Sequence, residues 1–145
     1  MERGDETTGI DDVYAELERV SRRAVARARH RSAPLSFVEH SLVTFIATHP
    51  GCRAVDIAAD FSLNRSTVSR QLAGLVELGL VAPVDGADGA RRGQVLALTP
   101  RGDELLARSV DANRAALAER LEGWRPEEVA ELAASLHRLN TAFGD

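Results

Sequence analysis

At 145 residues, with 44% apolar side chains and a formal charge of −4, the chain is long enough for one globular domain burying roughly two-thirds of its unfolded surface. Its single cysteine, Cys52, excludes an internal disulfide and any multi-cysteine zinc site, which fits a reducing compartment. No segment approaches the ~20 apolar residues of a membrane span, and the start lacks a signal peptide's apolar run, so the expectation is a cytoplasmic protein with no membrane partner.

Residues 1–10 are polar and glycine-containing and predict a disordered start. From Asp11 to His30, Val13, Leu17, Val20, Ala24 and Ala28 share one helical side and predict a long first helix. All 18 basic residues of the chain are arginine, and six fall at 19, 22, 23, 27, 29 and 31 with no acid among them. That run suits a helix C-terminus, and it reads equally as a solvated helix end or as a surface for phosphate. Ser32-Ala33-Pro34 breaks the helix, and Ser36-Phe37-Val38-Glu39 has the capping-box pattern that opens a second one. Phe37, Val38, Leu42, Phe45 and Ile46 then form a stripe expected to be buried as far as His49-Pro50-Gly51. Phe37, Phe45 and Phe61 read as core, with an apolar ligand pocket between helices as the alternative.

The stretch from Asp56 to Val81 reads as two short helices joined by a tight turn. Ile57, Ala58 and Phe61 give the first an apolar side; Val68, Leu72, Leu75 and Val76 give the second a stripe expected to be buried. Asn64 is the expected N-cap of the second helix, accepting from the backbone N–H of Ser66 or Thr67. At 100° per residue, Ser66, Thr67, Arg70, Ala73 and Gly74 lie opposite the stripe, with Arg65 and Ser69 on its flank. Short hydroxyls allow close approach, and an arginine among them offers a forked donor for guanine edges or phosphate. Arg65 and Arg70 are the only charges between Asp60 and Glu77, a local cationic footprint on an acidic chain. The competing reading is an ordinary solvated face.

Gly79 is expected to end this helix, and Leu80 to Val84 reads as an edge strand because Pro83 cannot donate to a ladder. Gln94 to Leu98 returns as its partner across a glycine-rich loop, making a β-hairpin. Its glycines match neither dinucleotide nor P-loop spacing. Arg91 and Arg92 at its tip, with Arg101 beyond, form an acid-free stretch from Gly89 to Gly102 that reads as a wing for phosphate or the minor groove.

Thr99-Pro100 caps and starts a fifth helix, kept amphipathic to Trp124 by Leu105, Leu106, Val110, Leu117 and Leu121, with Asn113 near the stripe as a register-fixing polar residue. Arg125-Pro126-Glu127-Glu128 opens a last helix carrying Val129, Leu132, Ala133, Leu136 and Leu139, with Phe143 near its end. The stripes of the first, fifth and sixth helices exceed what one short winged unit can cover, which predicts packing against a second subunit. His30, His40, His49 and His137 lack short metal-ligand spacing, so no metal and no cofactor is expected. No nucleophile with a base, paired carboxylates or cofactor loop can be assembled, so the chain does not read as an enzyme.

Asn64-Arg-Ser-Thr-Val-Ser-Arg70, Leu78-Gly-Leu-Val81 and Arg91-Arg-Gly-Gln-Val-Leu-Ala-Leu-Thr-Pro-Arg-Gly102 resemble the recognition helix, helix end and wing of the MarR family, the multiple antibiotic resistance regulators. The resemblance spans nearly the whole chain, and the wing ending in Leu-Thr-Pro-x-Gly before a long helix is its most distinctive part. It implies a mainly α, winged helix-turn-helix fold with six helices and a small β-hairpin (α+β), assembled as an intertwined homodimer. Residues 11–35 and 103–145 would be the helical dimerisation region and 36–102 the DNA-binding region. It implies a sequence-specific transcriptional regulator, a repressor released by a small-molecule inducer, on a pseudo-palindromic operator in double-stranded DNA. The site would be Asn64, Arg65, Ser66, Thr67, Ser69 and Arg70 in the recognition helix, Ser66, Thr67 and Arg70 facing bases, with Arg91 and Arg92 in the wing. Two departures stand out. Family wings often carry Asp directly before the arginine pair, where this chain has Ala90, so that either Asp88 substitutes or the wing is looser. Redox-sensing members use a cysteine near the start of the first helix, whereas Cys52 follows the second. The ligand pocket is not assigned by the resemblance. The alternative reading is a winged-helix protein-interaction module without DNA binding.

Overall fold

The computed structural model describes residues 3–30, 34–84 and 94–142, with the backbone alone for 3–8, 25 and 27–30. In chain order these form α1 (Arg3–His30), α2 (Phe37–Thr48), α3 (Ala54–Asp60), α4 (Arg65–Glu77), β1 (Val81–Pro83), β2 (Leu96–Leu98), α5 (Pro100–Arg120) and α6 (Pro126–Ala142). The mainly helical class with one small antiparallel hairpin is as the sequence predicts. Among the described residues no helix is long and apolar enough to cross a membrane. The chain divides into a first unit, residues 1–109, and a second, residues 110–145.

Local chemistry accounts for the element ends in the first unit. The Ser36 backbone N–H donates to Glu39 Oε2 at 2.8 Å and the Glu39 N–H to Ser36 Oγ at 3.2 Å, the reciprocal capping box predicted for α2. α3 starts earlier than the sequence suggests. Asp56 is its third residue, and its carboxylate accepts from the Arg53 backbone N–H at 2.8 Å. Two helices close alike: the Leu63 N–H reaches Ala58 O and the Ser62 N–H Ala59 O, just as Leu80 reaches Leu75 and Gly79 reaches Val76. The motif needs one left-handed residue, which is Gly79 at φ 73° after α4 but Ser62 at φ 51° after α3. A serine there carries strain that glycine would not.

Thr99 ties the hairpin to α5. Its N–H donates to Leu80 O, its hydroxyl to Gly79 O, and its Oγ1 accepts from the Gly102 N–H at 3.0 Å. At Gly102 a Cβ would lie 2.1 Å from Leu80 O, a backbone atom that cannot step aside. The Thr-Pro-x-Gly run is therefore a packing requirement: threonine caps, proline starts the helix, and glycine admits the strand's backbone.

The core of this unit joins Leu42, Phe45 and Ile46 of α2, Ile57 of α3, Val68, Leu72 and Leu75 of α4, and Leu80, Val81 and Leu96 of the hairpin. Burial of each such side chain contributes about 1.5–3 kcal/mol. Phe61 meets Phe45 edge-on at 5.8 Å, so two of the three phenylalanines serve the core. His40 Nδ1 lies 2.8 Å from Oγ of buried Ser109, joining α2 to α5.

Several expectations need correction. The backbone of residues 3–10, expected to be disordered, is helical and forms the first turns of α1. Phe37 (54% exposed), Val38 and Val76 lie outside the core. Phe37 and Val38 occupy the first turn of α2 and Val76 the last of α4, beyond the elements that cover the middle of each stripe. The strands are shorter than expected, three residues each, paired Val81 to Leu98 and Pro83 to Leu96.

In the second unit α5 ends at Arg120, short of Trp124, and the chain turns through Gly123 at φ 85°. Leu117, expected on the stripe, is exposed. The Arg125 backbone N–H donates to Glu128 Oε2 at 2.8 Å and opens α6, none of whose residues is buried. Phe143 lies outside the described residues.

Candidate nucleic-acid interface

The helix-turn-helix is built around Asn64. Its Oδ1 accepts from the Thr67 backbone N–H at 2.8 Å, so α4 begins at Arg65 as the sequence predicts. The cap fixes the helix start, and the burial of Val68, Leu72 and Leu75 fixes its rotation. Arg65, Ser66, Ser69, Arg70 and Ala73 are consequently exposed together, while Thr67 and Gly74 are half-buried on the flank of this face rather than at its centre.

Arg65 and Arg70 share in none of the ion pairs among the described residues. By contrast, Arg19 and Arg22 of α1 are joined to Glu16 and Glu18 of their own helix. Acids lying N-terminal to the arginine run thus engage part of it, which a search for acids inside the run does not find. On α4 Arg65 and Arg70 lie five residues apart, with the small hydroxyl side chains of Ser66 and Ser69 between them on the exposed side.

Arg101 is exposed near the far end of α4, its Cδ 4.0 Å from where a Gly79 Cβ would stand. A cation there also complements the C-terminal end of that helix. Arg91, Arg92, Ala90 and Asp88 lie outside the described residues, whereas both strands leading to that tip are described. Of the expected site residues, the described ones are therefore Asn64, Arg65, Ser66, Thr67, Ser69 and Arg70, all at the start of α4, while the hairpin joins the other end of that helix.

Sequence reading missed the left-handed Ser62 that sets the turn before Asn64, the close contact at Gly102, and the hydroxyl bond from Ser66 to Asn64 Oδ1 at 2.8 Å. Only the last had a local signal: two polar side chains at i and i+2 around a helix start. Cys52 is buried, and burial first, then Asp56, raises its thiol pKa, the opposite of what a reactive thiolate needs. Among the described residues no three His, Cys, Asp or Glu side chains gather into a metal-binding group.

Residues 33–92 match the family model described as MarR family. No curated protein matches the chain. Among solved structures, a MarR family protein from Bacillus stearothermophilus superposes with a TM-score of 0.82 at 16% identity, covering 96% of this chain and 98% of that one. A Mycobacterium tuberculosis MarR family protein in complex with p-aminosalicylic acid gives 0.68 at 23% identity, over 90% and 97% of the two chains. Streptococcus pneumoniae FabT, in complex with DNA, gives 0.68 at 18% identity, over 95% and 96%. At such identities the likeness is one of fold.

Proposed function

Since residues 33–92 match the MarR family model and the chain has the fold of MarR family structures, we propose that the protein is a sequence-specific, double-stranded DNA-binding transcriptional regulator. The observation that carries this reading is the α4 surface. Its apolar side is locked into the core, and its outward side presents Arg65, Ser66, Ser69 and Arg70 with no acid to neutralise the arginines. Such a helix fits the major groove, with arginine matched to guanine edges or phosphate. Arg91 and Arg92 would follow the adjacent backbone or minor groove.

The working form is a homodimer on a pseudo-palindromic operator. Ile10, Val13, Leu17 and Val20 of α1 are exposed, as are Leu132 and Leu136 of α6, each set spaced three or four residues apart like the seam between paired helices. Two copies would hold two α4 helices about one DNA turn, ~34–36 Å, apart. A bound small molecule that favoured another separation would release the operator, which makes the outcome repression relieved by an inducer. FabT bound to DNA and the M. tuberculosis protein bound to p-aminosalicylic acid support DNA and small-molecule partners for this fold.

The chain's charge of −4 favours the alternative, a winged-helix protein-interaction module, but binding to DNA depends on the local field at α4. The deciding experiment selects duplexes from a random pool with the full-length protein, then compares Arg70→Ala on selected and random duplexes. The expected loss is about 1–3 kcal/mol on the selected site with relaxed base preference. Equal weakening on both would make Arg70 a phosphate contact, and no duplex binding at low salt would replace the regulator with the interaction module.

A further inference from the structure

Two bonds converge on one oxygen at the start of α4. Asn64 Oδ1 accepts from the Thr67 backbone N–H at 2.8 Å and lies 2.8 Å from Ser66 Oγ. The backbone bond identifies the inward atom of the Asn64 amide as its oxygen, which carries no proton, so the Ser66 hydroxyl must donate. A serine hydroxyl has one proton. With that proton directed to Asn64, the exposed Ser66 Oγ turns only lone pairs toward a partner approaching α4.

This decides what Ser66 can meet in DNA. Phosphate oxygens accept only, so they gain nothing from a hydroxyl without a free proton. In the major groove guanine presents O6 and N7 and thymine O4, all acceptors, whereas cytosine N4 and adenine N6 are amino donors. We infer that Ser66 is a specificity-determining residue that accepts a hydrogen bond from the exocyclic amino group of a cytosine or adenine. The inference rests on the DNA-binding reading and adds to it the base class selected at one position. Arg70, four residues on along the same exposed side, has donors only. The helix thus presents an acceptor and then a donor, suited to an amino base followed by a keto base.

The test uses the full-length protein and duplexes selected from a random pool, comparing wild type with Ser66→Ala at every position. Wild type should show one position per half-site where cytosine or adenine is favoured over guanine and thymine. Ser66→Ala should reduce that preference by about threefold to tenfold and leave the others unchanged. Replacing the favoured base by an analogue lacking the amino group, purine for adenine or a pyrimidinone for cytosine, should weaken wild type by the same factor and Ser66→Ala not at all, which also distinguishes the two bases. Asn64→Asp, whose carboxylate still accepts from both Ser66 and Thr67, should keep the preference while binding every duplex more weakly. Unchanged base preferences in Ser66→Ala, or a keto base favoured there, would overturn the assignment while leaving sequence-specific binding intact. Failure of the wild type to bind any duplex would overturn both.

Discussion

α4 and α6 carry the same kind of apolar stripe and meet different fates. In α4, Val68, Leu72 and Leu75 are buried by α2, α3 and the hairpin of their own unit; in α6, Leu132 and Leu136 hold an equivalent i, i+4 spacing and remain exposed. A helical stripe says that a face is to be covered, and only the neighbours say by what. The stripe of α4 is covered within its own unit, whereas on the homodimer reading a second copy would cover that of α6.

The largest expected effect tests the exposed side of that comparison. Leu136→Glu should abolish self-association, because a two-fold interface loses the side chain twice, about 3–6 kcal/mol at 1.5–3 kcal/mol per copy. Sedimentation equilibrium should find a wild-type dimer and a variant that is monomeric or aggregated. A well-folded wild-type monomer at micromolar concentration would remove the dimer and the two-headed reading with it.

Gly102→Ala tests the buried side. With backbone 2.1 Å from the new Cβ, either the hairpin or α5 must shift, at a cost of about 3 kcal/mol in thermal or chemical unfolding. The loss should fall on the first unit and so remove DNA binding, whereas Leu136→Glu acts through assembly. A variant as stable as wild type would mean the strand and helix are not held together there.

A smaller effect concerns His40, whose contact with Ser109 links α2 to α5. Burial lowers its pKa below the ordinary 6.5. The unfolded chain takes up this proton first as pH falls, so the contribution is present above about pH 6.5 and is lost as pH falls through the folded-state value. His40→Gln, which keeps a hydrogen-bonding side chain without the titration, should flatten that part of the stability profile between neutral pH and about pH 5. An identical profile in wild type and variant would assign the pH dependence to other groups.

Much of this molecule was legible from the chain because its signals are local. The Ser36–Glu39 box, the Asn64 cap, the Gly79 stop, the Thr99-Pro100 start and the Val68, Leu72, Leu75 stripe all follow from residues within a few positions of one another. The outward placing of Arg65, Ser66, Ser69 and Arg70 was legible for the same reason, since a cap and a stripe together orient α4. What escaped depends on distant contacts or on helix ends. Gly102 is needed because Leu80 passes it, His40 meets a serine 69 residues away, and Phe37, Val38 and Val76 continue a periodic stripe past the place where anything covers it. Ser62 escaped because its left-handed position is taken far more often by glycine.

The central claim, two α4 reading heads held by one dimer, is tested most directly by hydroxyl-radical footprinting of the wild-type protein on a selected duplex, with the stoichiometry of the complex measured alongside. The account predicts two protected half-sites about 34–36 Å apart, related by the duplex's pseudo-two-fold axis, with two chains bound. A single protected half-site with one chain bound would contradict it.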